Sequence, residues 1–80
     1  MAVLRLFAAA REAAGTGRDT VPGATIDQVL RAAAARYGAP FSAVLDTSQV
    51  WLNGDPVEPD AAVGDDDEVA VIPPVSGGCA

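Results

Sequence analysis

The chain is expected to fold as one small α+β domain, with a single sheet of four to five strands and one main helix packed on one sheet face. Three observations carry this. Eighty residues suit one domain, and such a chain buries only about 60% of its unfolded surface. Half of the residues are apolar, but much of that is alanine. The large apolar side chains fall in short clusters at 3–7, 26–30, 44–45, 50–52 and 69–72. One segment, Ile26–Tyr37, repeats Ile26, Val29, Leu30, Ala33, Ala34 and Tyr37 at helical spacing. A core this small leaves little room for a buried small-molecule pocket.

Residues 2–7 read as the first strand, with Leu4 and Leu6 on one side and Val3, Arg5 and Phe7 on the other. Ala8–Ala14 is alanine-rich and forms a short helix, and Gly15 is a natural stop. Arg18–Val21 is a second strand, closed by the Pro22-Gly23 turn. Thr25-Ile26-Asp27-Gln28 is a capping-box pattern with an acidic residue in the first turn, and it opens the main helix. Gly38 ends that helix, and Pro40 is expected to prevent its restart, with one further turn over 41–45. Residues 50–52 form a short strand. Asn53-Gly54 is a type I′ hairpin signal, with positive φ at both positions. Residues 55–57 pair back as a short edge strand marked by Pro56. Residues 58–67 form an acidic crossing, and Glu68–Ile72 is the last strand. Its apolar residues on both faces give it a central place in the sheet.

That strand runs into Pro73-Pro74-Val75-Ser76-Gly77-Gly78-Cys79-Ala80. The two prolines fix φ and remove two backbone donors, so the strand stops and the chain leaves stiff and extended. Two glycines follow with no Cβ to hinder their carbonyls. A stiff arm ending in bare Gly-Gly suits a carrier that presents a C-terminal acyl group to a pocket of another protein. A frayed, glycine-rich terminus is the competing reading. The domain is therefore read as residues 1–72, with 73–80 as a flexible arm.

The net charge is −6. Nucleic acid is not expected as a partner, because no basic stripe is present to neutralise phosphates. A basic protein surface is the natural complement. Apolar runs are far too short for a membrane span, and no signal peptide is visible. One cysteine excludes an intramolecular disulfide framework. The expected location is the cytoplasm. Without histidine, and with one cysteine, the usual zinc sites and His-based catalytic pairs are excluded. No catalytic residue, metal site or bound cofactor is expected. Lysine is absent too. This is either drift toward arginine or an advantage to a chain that carries an acyl group reactive toward amines.

Leu6-Phe7-Ala8-Ala9-Ala10-Arg11-Glu12-Ala13-Ala14-Gly15, Leu52-Asn53-Gly54 and the stretch from Asp67 through Ile72-Pro73-Pro74-Val75-Ser76-Gly77-Gly78 together resemble the small, ubiquitin-like sulfur carrier subunit of molybdopterin synthase. The resemblance spans residues 1–78 and extends to the related thiamine-pathway carriers. It implies a ubiquitin-like β-grasp fold with a mixed sheet. It implies that a ubiquitin-activating-like adenylyltransferase uses ATP to adenylate the Gly78 carboxylate. Sulfur then displaces AMP to give a thiocarboxylate. The arm, Pro73, Pro74, Val75, Ser76, Gly77 and Gly78, inserts into the large subunit of molybdopterin synthase and delivers sulfur to cyclic pyranopterin monophosphate. By position, Phe7, Pro56 and Ile72 match the family's apolar docking patch, with ordinary core as the alternative for Phe7 and Ile72. Arg11 matches a basic residue at the activating-enzyme interface, with a solvated helix arginine as the alternative. Trp51 alternates with Val50 and Leu52 and is expected on the opposite, partly exposed face, as a half-buried structural residue or a docking residue.

The family ends at the second glycine, and here Cys79-Ala80 follows. While the Gly78–Cys79 bond is intact, Gly78 has an amide and not the carboxylate that adenylation requires. Three readings stand. A zinc metalloprotease of the ubiquitin-processing type removes Cys79-Ala80; the dipeptide is an artificial extension; or Cys79 acts itself, as a thiol or through an N-to-S acyl shift. The sulfur acceptor also stays open: molybdopterin, or cysteine, thiamine or a secondary metabolite. So does a separate role as a ubiquitin-like modifier joined to target lysines. The run Gly64-Asp65-Asp66-Asp67-Glu68 lacks the spaced ligands of a calcium loop, and its third acidic residue is read as solvated.

Overall fold

A computed structural model describes residues 1–74 of the chain. The described residues run β1 (Ala2–Leu6), α1 (Ala8–Ala14), β2 (Arg18–Val21), α2 (Ile26–Tyr37), α3 (Ala39–Leu45), β3 (Gln49–Leu52), β4 (Asp55–Pro56) and β5 (Glu68–Ile72). The five strands form one mixed sheet in the order β2-β1-β5-β3-β4. β5 lies in the middle, parallel to β1 and antiparallel to β3. This is the α+β architecture with β-grasp topology that the sequence predicts.

The alternation in the strands becomes burial. Leu4, Leu6, Val69 and Val71 are buried, while Val3, Arg5, Ala70 and Ile72 on the other face are only half-buried. The helices cover the first face. Ile26, Val29 and Ala33 of α2 and Ala10 of α1 complete the core with Phe41 of α3. Phe41 is fully buried, and the ring of Tyr37 meets it edge-on at 5.1 Å between centroids.

α3 departs from expectation. Pro40 does not block a second helix; it lies within the first turn of one that starts at Ala39. In a first turn the missing N–H has no intrahelical partner to lose, and proline's φ already fits a helix. Gly38, at φ 92°, supplies the break between the two helices. The strand ends differ by a residue. Phe7 falls just outside β1, Val57 just outside β4, and Gln49 joins β3.

Local chemistry fixes the ends of the elements. The Thr25 side chain accepts the Gln28 N–H at 3.2 Å, and Gln28 Oε1 accepts the Ala24 N–H at 2.8 Å. The acidic crossing is stapled to the same helix end, where Ala61 and Pro59 carbonyls accept the Ile26 and Asp27 N–H groups. In the hairpin, Asn53 and Gly54 have φ of 51° and 89°, as a type I′ turn requires. Asn53 then locks this turn to the start of β5. Its N–H donates to the Glu68 carbonyl at 2.8 Å, and its Oδ1 accepts the Glu68 N–H at 2.9 Å. Asp67 accepts from the Gly64 N–H and from Asn53 Nδ2, which hold its carboxyl below the usual range.

At the other sheet edge, Asp19 of β2 clasps α2. It accepts the Tyr37 hydroxyl, and it pairs with Arg36 at 2.8 Å. Arg36 also donates to the Thr20 carbonyl at 3.0 Å, while Asp19 Oδ1 takes the Thr20 N–H. Both backbone groups of Thr20 are thereby occupied, which blunts the edge strand against further pairing. The Tyr37 bond and then Arg36 lower the pKa of Asp19. Burial and then the adjacent Asp19 carboxylate push Tyr37 up to about 12. The folded state thus binds the Tyr37 proton more tightly than the unfolded chain, whose tyrosine titrates near 10. The stabilisation is complete below about pH 10 and is lost as pH rises toward the folded value. Ultraviolet titration of this single tyrosine is expected to show a midpoint well above 10 that returns toward 10 in Asp19→Asn. A midpoint of 10 in the native chain would contradict the clasp.

Candidate functional site

The face of the sheet that no helix covers is the candidate site. Strand register builds it. Arg18 lies opposite Arg5, Arg5 opposite Ala70, Ala70 opposite Trp51, and Trp51 opposite Pro56. Residues directly opposite on neighbouring strands share a face. One row therefore crosses all five strands, basic at the β2 edge and apolar toward β4. Trp51 is half-buried on this face, as its alternation predicts, and its Nε1 donates to Gln49 Oε1 at 3.3 Å.

Next to that row stand Phe7 and Ile72. Neither is core. Phe7 is 42% exposed, unusual for a large apolar residue here, and Ile72 is half-buried. The Phe7 N–H donates to the Val71 carbonyl at 3.3 Å, so the ends of β1 and β5 stay together. The Arg5 guanidinium stands 5.8 Å from the centre of the Phe7 ring. Ala8, directly after Phe7, has φ 50°, a conformation that costs a non-glycine residue about 1 kcal/mol. This bend turns the chain into α1 and leaves the Phe7 ring outside the core.

Ile72 lies opposite Gln49 at the root of the arm. With Thr47, Gln49, Pro73 and Pro74 it lines a cleft of about 250 Å³. Pro73 is buried and Pro74 exposed. Arg11 is exposed on α1, and it lines a second cleft with Phe7, Arg5 and Arg18. The structure thus brings Phe7, Pro56 and Ile72 to the same open face and sets Arg11 at its border. Val75, Ser76, Gly77, Gly78 and Cys79 lie outside the described residues. Sequence reasoning passed over Arg5 and Arg18. Their signal was present, because Arg5 alternates with the buried Leu4 and Leu6. Their meeting with Arg11 is visible only once β1 and β2 pair.

Among the described residues no group of three His, Cys, Asp or Glu side chains could hold a metal ion, and no helix is long and apolar enough to cross a membrane.

Comparison with known proteins places these features. The model of the ThiS family matches residues 4–78. The chain belongs to the ThiS family. It is similar to SAMP1 of Haloferax volcanii, at 34% identity and a TM-score of 0.81, over 96% of this chain and 98% of that one. It is similar to the small archaeal modifier protein 1 of Methanosarcina acetivorans, at 26% identity and a TM-score of 0.85, over 96% and 95%. A Pyrococcus furiosus protein assigned as molybdopterin converting factor, subunit 1, matches at 26% identity and a TM-score of 0.79, over 92% and 97%. A search of curated proteins found no match. The chain is a member of a family of small ubiquitin-like sulfur carriers and modifiers.

The open face generates a contrast in stability. Phe7→Ala removes a side chain that is largely in water and is expected to change stability by less than about 1 kcal/mol. Leu4→Ala, which empties a fully buried core position, is expected to cost about 2–5 kcal/mol. Chemical denaturation measures both. A loss for Phe7→Ala as large as that for Leu4→Ala would show that Phe7 is a core residue and not a surface one.

Proposed function

We propose that the protein is a non-catalytic sulfur carrier whose Gly78 carboxylate, freed by cleavage of the Gly78–Cys79 bond, is adenylated and converted to a thiocarboxylate. The observation that carries this reading is the family match, which runs through the Pro73-Pro74-Val75-Ser76-Gly77-Gly78 arm and stops at the second glycine. The chemistry follows from the groups. A carboxylate is a poor electrophile. Attack of its oxygen on the α-phosphorus of ATP, with loss of pyrophosphate, makes an acyl-adenylate with AMP as leaving group. A sulfur nucleophile supplied by a partner then displaces AMP, leaving sulfur where an oxygen was. The thiocarboxylate is the better nucleophile and passes its sulfur on.

The domain's part is presentation. Residues 73–78 span at most about 20 Å when extended, enough to reach a buried site while the body stays outside. Phe7, Pro56, Ile72 and Trp51 supply the apolar docking face for two partners, an adenylyltransferase that uses ATP and the large subunit of molybdopterin synthase, with Arg11 assigned to the first. A processing metalloprotease removes Cys79-Ala80. Molybdopterin is the proposed product because the arm has that subunit's form and because the Pyrococcus furiosus relative carries that assignment. Carriage of sulfur toward cysteine, thiamine or a secondary metabolite uses the same chemistry. A second reading, a ubiquitin-like modifier joined through Gly78 to target lysines, is favoured by the 34% identity to SAMP1.

Incubation with ATP and the adenylyltransferase of the same genome tests the shared step. The chain ending at Gly78 is expected to form the acyl-adenylate, seen as ATP–pyrophosphate exchange, and the 80-residue chain is expected to be inert. No exchange with the Gly78-ending chain would overturn the carrier reading and the modifier reading together. Adding a sulfur donor separates the two: thiocarboxylate supports the carrier, and isopeptide-linked products in cell extract support the modifier.

A further inference from the structure

Three of the five arginines in this acidic chain converge on one cleft. β1 and β2 pair so that Arg5 lies opposite Arg18. α1 then brings Arg11 across the end of the same strands. Gly17 makes the room: a Cβ there would stand 3.4 Å from Arg11 Nε. Together with Phe7 and Thr16 the three side chains line an open hollow of about 480 Å³.

The remaining two arginines behave differently. Arg31 is held by Asp27 and Arg36 by Asp19, each at 2.8 Å. Among the described residues, Arg11 and Arg18 have no carboxylate partner, and Arg5 has only an exposed contact to Glu68 at 3.3 Å. Eleven acidic residues are present, yet among the described residues only Glu68 contacts an arginine of this cleft. Like charges lining one cleft are stabilised by an anion shared between them. Guanidinium forks suit carboxylates in particular, since each can take both oxygens at once.

The occupant follows from the surroundings. Phe7 lines this hollow and also belongs to the apolar face, so one partner covers both. A nucleic acid or an anionic membrane would be repelled by the rest of a chain of net charge −6. A protein that carries a local acidic segment on an otherwise compatible surface would not. We infer that the Arg5–Arg11–Arg18 cleft seats an acidic segment of the protein that docks on the open sheet face, and that it sets which partner is accepted. This deepens the proposed function and rests on the open face being its docking face.

The test is a nuclear magnetic resonance titration of the full chain with hexaglutamate, in parallel with inorganic phosphate and with a neutral hexaglutamine. Saturable shifts are expected at the amides and arginine side chains of Arg5, Arg11, Thr16, Gly17 and Arg18, with Arg31 and Arg36 unmoved. The double variant Arg11→Gln/Arg18→Gln is expected to bind about tenfold more weakly, and added salt to weaken the native chain. Arg31→Gln is expected to bind as the native chain does. Shifts spread evenly over all five arginines, or no saturation, would overturn the site. Phosphate binding as tightly as the peptide would replace it by a free-ion site. Concentration-dependent shifts at these residues without peptide would assign the cleft to a second copy and overturn the partner. ATP–pyrophosphate exchange at Gly78 is read separately, so a cleft that fails while exchange proceeds sinks this inference alone.

Discussion

Strand β5 is hydrogen-bonded along both edges, to β1 in parallel and to β3 in antiparallel register. Val69 and Val71 point from it into the core, where both are fully buried. Its start is pinned by Asn53 and its end by Phe7. The arm therefore leaves from a strand held along both of its edges. Opening β5 would expose both valines and unpair two neighbours, so the root of the arm is held firmly to the domain.

Charges are unevenly placed along the same strand, with Arg5 reaching Glu68 at 3.3 Å. At its beginning are Asp65, Asp66, Asp67 and Glu68; at its end are Phe7, Ile72 and the arginine cleft. Parallel pairing with β1 brings Arg5 and Phe7 to the end from which the arm departs. The acids are not simply solvated. Asp67 is tied to Gly64 and Asn53, and Asp65 pairs with the chain's amino terminus at 2.8 Å. An acidic body with one basic, partly apolar pole is oriented by a partner's field before contact, which raises encounter rates and rejects wrongly charged surfaces.

Much of this was legible in the residues. Leu4 and Leu6 against Arg5 and Phe7 gave the two faces of β1. Thr25 and Gln28 gave the start of α2, and Asn53-Gly54 gave the hairpin, because in each case the deciding interaction is local. Valine and isoleucine with alanine on both faces of 68–72 marked the central strand. The α3 helix was misread because proline inside a helix and proline in its first turn look alike in sequence, and only Gly38's conformation separates them. Alternation in β1 already set Phe7 on the open face, but that Phe41, between Pro40 and Ser42, fills the core was hidden, because tertiary packing alone places it there. The arginine cleft is spaced by no period, since 5, 11 and 18 meet only through strand pairing and the turn of α1.

The central claim is that the working end of the molecule is the Gly78 carboxyl group, carried by a domain that does no chemistry of its own. The intact mass of the untagged protein, taken from its native cells while the pathway runs, tests this most directly. The account predicts a chain that ends at Gly78, part of it heavier by the difference between one sulfur and one oxygen. A population that still carries Cys79-Ala80, with no shorter species, would contradict it and move the chemistry to the Cys79 thiol.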